Sequence, residues 1–233
     1  MEKSYQNISY FFIGILICAF IGFHFTYTSK FPNFEGLSNA HHFHGFMLMS
    51  WFAMLIVQPF LIRAKKTELH RQIGKISYLQ IPLLLFSIFL VTKVSFLNNI
   101  TLMPRSVVIG NLTLDLPAII AFVLFYILAM VNKQNTASHM RYMIATSLLM
   151  IGPGLGRALI IFGGIPYPVA VNFVQYVAEF IALIFLAFDY FNGRSIKPYS
   201  IILGVLIACH LCWNYQMTSA WQVFGEWFVK VFF

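Results

Sequence analysis

The sequence predicts an all-α fold, a polytopic membrane protein built as a seven-transmembrane-helix bundle with a C-terminal interfacial helix. Three observations predict it. The 233-residue chain is 60% hydrophobic and 18% aromatic but only 9% charged, whereas an average soluble domain is about 25% charged. Its apolar residues fall into seven runs, each about 20 residues long, the length that crosses a hydrocarbon core. The runs are continuous rather than alternating, which excludes a membrane β-barrel. So few charges cannot cover a soluble surface. The composition also excludes a disordered chain, a coiled coil and a nucleic-acid binder of the basic-patch kind. The net charge of +8 then marks the cytoplasmic rim of a membrane protein.

The runs lie at about 9–28, 42–62, 74–97, 112–132, 141–163, 168–190 and 198–216. The first follows a short polar start, and His24, Phe25 and Tyr27 offer no small-residue cleavage site, so it reads as a retained helix rather than a signal peptide. The fifth contains Gly152, Pro153, Gly154 and Gly156, with Gly163 and Gly164 at its end. The proline kinks it, and the small residues let a neighbouring helix or a flat ligand approach closely. The tail from Thr218 to Phe233 mixes Trp221, Glu226, Trp227 and Lys230 with large apolar residues, the pattern of a helix lying in the headgroup layer. With seven spans, the N-terminal face collects Lys3, Arg63, Lys65, Lys66, Arg71, Lys75, Lys133, Arg141, Arg194 and Lys197. The other face has Lys30, Lys93, Arg105, Arg157 and Lys230. Ten cations against five put the N-terminus in the cytoplasm. No repeat or linker divides the chain, so residues 1–233 form one membrane domain.

Ionisable groups at membrane depth are costly and mark candidate sites. One group is His24, His41, His42, His44 and His210, all toward the outer face. Helices one, two and seven often adjoin in seven-helix bundles, and imidazole ligates zinc and haem iron. The cysteines Cys18, Cys209 and Cys212 are odd in number and do not read as a disulfide framework. Cys209 and Cys212 share a helix face, but His210 lies about 100° and about 200° from them, so the three do not make one ion site; the Cys-x-x-Cys pair alone reads as two small packed residues or as a redox or metal-binding pair. A second group is cytoplasmic: His70 with Arg71, Gly74 and Lys75, and His139 with Arg141. Two histidines on separate helices can clamp a haem while rim cations neutralise its propionates; an anionic lipid headgroup fits the same cations less fully. A third lies deeper, with Asp115, Arg157 and Glu179. Arg157 requires a partner, supplied by Glu179 or Asp115, and the group reads as a buried pair, a proton relay or an acidic quinone-site residue.

The segment His44-Gly45, Gln58, His70-Arg71, Gly74 and Tyr78, followed by His139, Met143 and Arg157, resembles an uncharacterised family of bacterial membrane proteins, a domain of unknown function. The resemblance covers roughly residues 40–160. It implies that His44, His70, His139 and Arg157 matter and carries no activity. The chain is also partly similar to di-haem b-type cytochromes, with His70 and His139 as one ligand pair. The fourth helix has no histidine, so a second pair would join His44 to His210. Seven-helix zinc hydrolases such as the alkaline ceramidases, and the progestin and adiponectin receptors, share the spacing of Ser38 and His42; here Asn214 replaces their second histidine after His210, and their helix-three aspartate is absent. The leading expectation is a protein of the bacterial inner (plasma) membrane that binds haem b at His70, His139, His44 and His210, with Arg71 and Arg141 at the rim, and transfers electrons. A zinc-dependent intramembrane hydrolase at His24, His42, His44 and His210, and a non-catalytic accessory subunit, are the alternatives. The expected partners are membrane lipids and a quinone or other membrane redox subunits, with no nucleic acid.

Overall fold

The computed structural model describes residues 5–233; Lys3, counted with the N-terminal cations, lies outside them. Among the described residues every regular element is helical: α1 Ile8–Phe23, α2 Asn39–Arg63, α3 Thr67–Asn99, α4 Arg105–Val131, α5 Thr136–Leu148, α6 Ile151–Gly163, α7 Tyr167–Phe191, α8 Lys197–Asn214 and α9 Ser219–Phe232. Five helices are long and apolar enough to cross a membrane, with Thr136–Gly163 counted as one, and a bent α8–α9 pair brings the number to six. Large apolar side chains such as Ile120, Val131 and Phe191 point outward, as lipid-facing positions do.

Four differences from the sequence reading have local causes. The first helix ends at Phe23 rather than near residue 28. Its 16 residues span about 24 Å, short of a hydrocarbon core of about 30 Å. The chain turns there because Thr28 and Ser29 bond back to His24 and Phe25 through both side chain and backbone. The third and fifth runs begin earlier than their apolar residues, so His70 and His139 sit within the first turns of α3 and α5 rather than before them. The fifth run breaks into α5 and α6 ahead of Gly152 and Pro153, since proline at 153 has no N–H for a continuous ladder. Finally, α8, the seventh span of the sequence reading, packs on α4, α5 and α7, while α2 packs on α1 and α3.

The helices close a ring in the order α1, α2, α3, α4, α8, α7, α6 and back to α1, with α5 against α4 and α8. The α1–α6 contact depends on glycine. A Cβ on Gly22 would stand 2.0 Å from the Gly154 carbonyl oxygen, and one on Gly154 would stand 2.7 Å from Ala19 Cα. α9 leaves α8 at 92° and lies across the start of α4. There Glu226 accepts from Arg105 at 2.7 and 2.6 Å, and Trp221 Nε1 donates to the Ile109 carbonyl at 3.1 Å.

At the N-terminal face the bundle is tied by one ion pair. Arg141 (2% exposed) donates through Nε and Nη2 to Asp189 (0% exposed) at 2.5 and 2.8 Å. The Tyr5 hydroxyl donates to Asp189 at 3.2 Å, and Arg194 lies 3.7 Å away. Burial pushes the Tyr5 phenol up to about 12, so it remains a donor. Asp189→Asn is expected to destabilise the bundle by about 3–5 kcal/mol, because it leaves a buried guanidinium uncompensated. Unfolding in mixed micelles checks this, and a loss below about 1 kcal/mol would show the pair to be dispensable.

Candidate functional site

α3 carries a polar stripe through the bundle. His70, Ser77, Gln80, Ser87 and Thr92 fall within an arc of about 140° and extend over about 33 Å of helix, close to the hydrocarbon thickness of about 30 Å. Ser77, Gln80, Ser87 and Thr92 are buried. Each meets a polar side chain from another helix, forming a column of rungs.

The rungs share one local device. The Ser77 hydroxyl donates to the Gly74 carbonyl one turn back at 2.6 Å, which leaves its oxygen to accept from Tyr126 of α4 at 2.8 Å. Ser50 of α2 donates to the Met47 carbonyl and accepts from Gln80 Nε2, both at 2.8 Å. Ser87 donates to the Leu84 carbonyl at 2.6 Å and meets His44 Nδ1 at 3.1 Å. A serine satisfied within its own helix thus offers only a lone pair to its neighbour. Higher still, Thr92 stands near enough to Asp115 of α4 to act on its carboxyl. Arg157 donates to the Pro153 carbonyl at 2.9 Å, with its guanidinium 4.3 Å from the Phe23 ring centroid. Asp115, Tyr167 and His44 all lie in its field. At mid-column Gln80 Oε1 and Trp51 Nε1 are buried without a protein partner. They are an acceptor and a donor of the kind that buried water satisfies.

Histidines stand at both ends. At the N-terminal face the Gln58 amide, with its oxygen on the Gly74 N–H at 3.2 Å, turns its nitrogen to His70 Nδ1. His70 therefore carries its proton on Nε2. His139 Nδ1 donates to the Ala129 carbonyl at 2.8 Å, which leaves its Nε2 bare. The two rings are near enough to act on each other electrostatically. At the opposite end His41 Nδ1 accepts from the Ser38 N–H at 3.1 Å, so its proton is also on Nε2. His44, donating through Nδ1, presents a bare Nε2, and these two rings also interact electrostatically. Each end of the column thus carries one imidazole with its proton on Nε2 and one whose Nε2 is bare.

The remaining expected residues are dispersed. Arg71 is exposed beside Glu68, 3.9 Å away. Arg141 points into the bundle toward Asp189 rather than lining a cofactor rim. His24 pairs with Thr28 at 3.1 Å and His42 with Tyr27 at 2.7 Å. His210, on α8, contacts Glu179 and Asn172 of α7, each at 2.9 Å, so Glu179 serves His210 rather than Arg157. His44 and His210 sit on helices with different packing partners. Among the described residues no three His, Cys, Asp or Glu side chains converge as a metal site. The Gly152–Gly156 run is close helix packing, as one of its two sequence readings held. Sequence reasoning missed Ser77, Gln80, Ser87 and Thr92, although their spacing from His70 already put them on one helix face.

A double-mutant cycle on His44→Ala and Ser87→Ala is expected to give a coupling energy of about 1 kcal/mol, read from unfolding midpoints. Strict additivity would mean the rung contributes nothing. Comparison of the chain with family models, curated proteins and solved structures gives no match.

Proposed function

We propose that the protein is a seven-pass inner-membrane protein of bacteria that relays protons along the polar column of α3. Its N-terminus is cytoplasmic, in keeping with the ten-to-five distribution of Lys and Arg. The observation that carries the reading is the column itself: buried polar rungs along about 33 Å of one helix, with one histidine protonated on Nε2 and one bare there at each end. Polar and ionisable side chains at this depth are expensive and mark ion and proton pathways. His70 and His139 would exchange protons with the cytoplasm, and His41, His44 and Asp115 with the outer side. Water would bridge the intervals between rungs, held at mid-depth by Gln80 Oε1 and Trp51 Nε1.

The test is proton flux in vesicles. Purified protein reconstituted with an internal pH-sensitive dye, under a potassium diffusion potential, is expected to dissipate an imposed pH gradient faster than empty vesicles. Gln80→Leu replaces the middle rung by hydrocarbon and should slow the flux about tenfold or more. Wild-type flux equal to that of empty vesicles would end this reading.

The second reading is haem b ligation at His70 and His139. It is favoured by His139, whose Nδ1–H bond to a carbonyl is the usual way a protein aims Nε2 at a metal. It requires Gln58 to release His70, whose Nε2 otherwise carries the proton. A visible spectrum after expression with ample haem separates the two. A Soret band that disappears in His139→Ala supports the electron carrier, and a colourless protein that conducts protons supports the relay.

A further inference from the structure

His210 is held differently from every other histidine in the chain, and the difference points to a second site away from α3. Its ring is buried between α7 and α8, with the edge of Tyr176 against it at a centroid distance of 4.7 Å. Nδ1 lies 2.9 Å from Glu179 Oε1, and Nε2 lies 2.9 Å from Asn172 Oδ1. The orientation of Asn172 is fixed, because its Nδ2 donates to the Pro168 carbonyl at 2.8 Å. Its Oδ1 can therefore only accept, so His210 Nε2 must carry a proton. The other contact also needs a proton, either on Nδ1 or on the carboxyl of Glu179. Neutral imidazole beside a carboxylate has one proton too few, and one of the two contacts would then set lone pair against lone pair.

We propose that His210, Glu179 and Asn172 form a proton-binding latch, a site that holds one proton beyond neutral imidazole plus carboxylate and uses it to join α7 to α8. The proton is the ligand. With it bound, α8 is tied to α7 at two points on α7 that are seven residues apart. Its release to a base leaves one tie, so the latch is closed while the proton is bound and open once it has gone. No other charge on the helices packed against α8 is free to take over. On α4, Asp115 lies near Thr92 in the field of Arg157, and Arg105 is bound to Glu226. On α5, Arg141 is bound to Asp189 and His139 to the Ala129 carbonyl. Tyr126 of α4 is engaged with Ser77, and Tyr142 of α5 is a buried neutral phenol. On α8 itself the neighbouring titratable groups are the thiols of Cys209 and Cys212. This site does not depend on the α3 relay: loss of vesicle flux would leave it standing, and the experiment below does not read flux.

Two measurements on the full chain in lipid bilayers test it. The first is solid-state NMR with ¹⁵N-labelled histidine, His210 being assigned by the signal lost in His210→Gln, together with infrared spectra of the Glu179 carboxyl, assigned by Glu179→Gln. At neutral pH the expected result is either a doubly protonated imidazole or a protonated carboxyl. A singly protonated ring beside an ionised carboxylate overturns the proposal. The second uses Cys18→Ser/Cys212→Ser protein, in which buried Cys209 is the remaining thiol, and follows maleimide labelling at one fixed pH. Glu179→Leu, which leaves Nδ1 without a partner, should speed labelling about tenfold or more, as expected for loss of a buried hydrogen bond, whereas Glu179→Gln, whose amide N–H can donate to Nδ1 of the neutral ring, should label as slowly as the parent. Asn172→Asp keeps an acceptor at Nε2 and should label as slowly as the parent. Equal rates in the parent and Glu179→Leu overturn the latch, and fast labelling in Asn172→Asp would overturn the role given to Asn172.

Discussion

The Arg141–Asp189 pair is the constraint on which the rest of the bundle depends. A guanidinium and a carboxylate, both removed from solvent, are tolerated in an apolar interior only when geometry is good and the remaining hydrogen-bonding capacity is filled. Both conditions are met. The contact is bidentate, Arg141 Nη1 donates to the Ala137 carbonyl at 2.9 Å, and Tyr5 and Arg194 complete the surroundings of Asp189. The pair joins α5 to α7 and draws in the segment before α1 and the loop before α8. It also fixes the azimuth of α5, and with it the position of His139, two residues before Arg141. The histidine at the end of the polar column is therefore placed by an ion pair outside the column.

The column itself shows how an apolar helix can carry polar groups at small cost. In Ser50, Ser77 and Ser87 the hydroxyl proton is taken by a carbonyl of the same helix, so each residue is largely satisfied before its neighbour packs. The partner then needs only a donor, and Tyr126, Gln80 and His44 supply one each. Interhelical bonds in membranes are worth little individually, so these rungs contribute direction more than stability. Every lone pair faces a chosen helix, which sets the rotation of α3 against α2 and α4.

Hydropathy made the long helical runs legible in the sequence, because span length follows from the bilayer as solvent, and the polar break before Ser219 marked where α9 turns away from α8. Close packing at Gly154 was legible too, since small residues in an apolar run have few other uses. The polar partnerships were not. Asp189 stands in the last turn of α7, where a carboxylate usually marks a helix leaving the membrane, and nothing in its local sequence says that it faces inward. Glu179 seemed the natural partner for Arg157 by chain proximity, yet α6 and α7 present them to different neighbours. The start of α3 was misplaced because Thr67–Gln72 is polar and helix formation there depends on backbone continuity rather than hydropathy. The serines of α3 were visible at helical spacing, but a serine in a membrane helix is ordinary, and only its partner distinguishes a rung from a packing residue.

All seven histidines engage Nδ1 within the protein: with Thr28, Ser38, Tyr27, Ser87, Gln58, Ala129 and Glu179 in chain order. Fixing Nδ1 fixes the ring, and the role of that nitrogen decides what Nε2 can do. Where Nδ1 accepts, as in His41 and His70, Nε2 carries the proton. Where Nδ1 donates, as in His44 and His139, Nε2 is a base aimed away from its own anchor. One of each kind stands at each end of the polar stripe, so each end has a bare Nε2 that can take up a proton and release it again while every Nδ1 stays anchored. A pair of metal ligands would need two bare nitrogens facing one another. The anchors on Nδ1, rather than the number or spacing of the histidines, therefore decide which Nε2 atoms in this bundle carry a proton and which are bare.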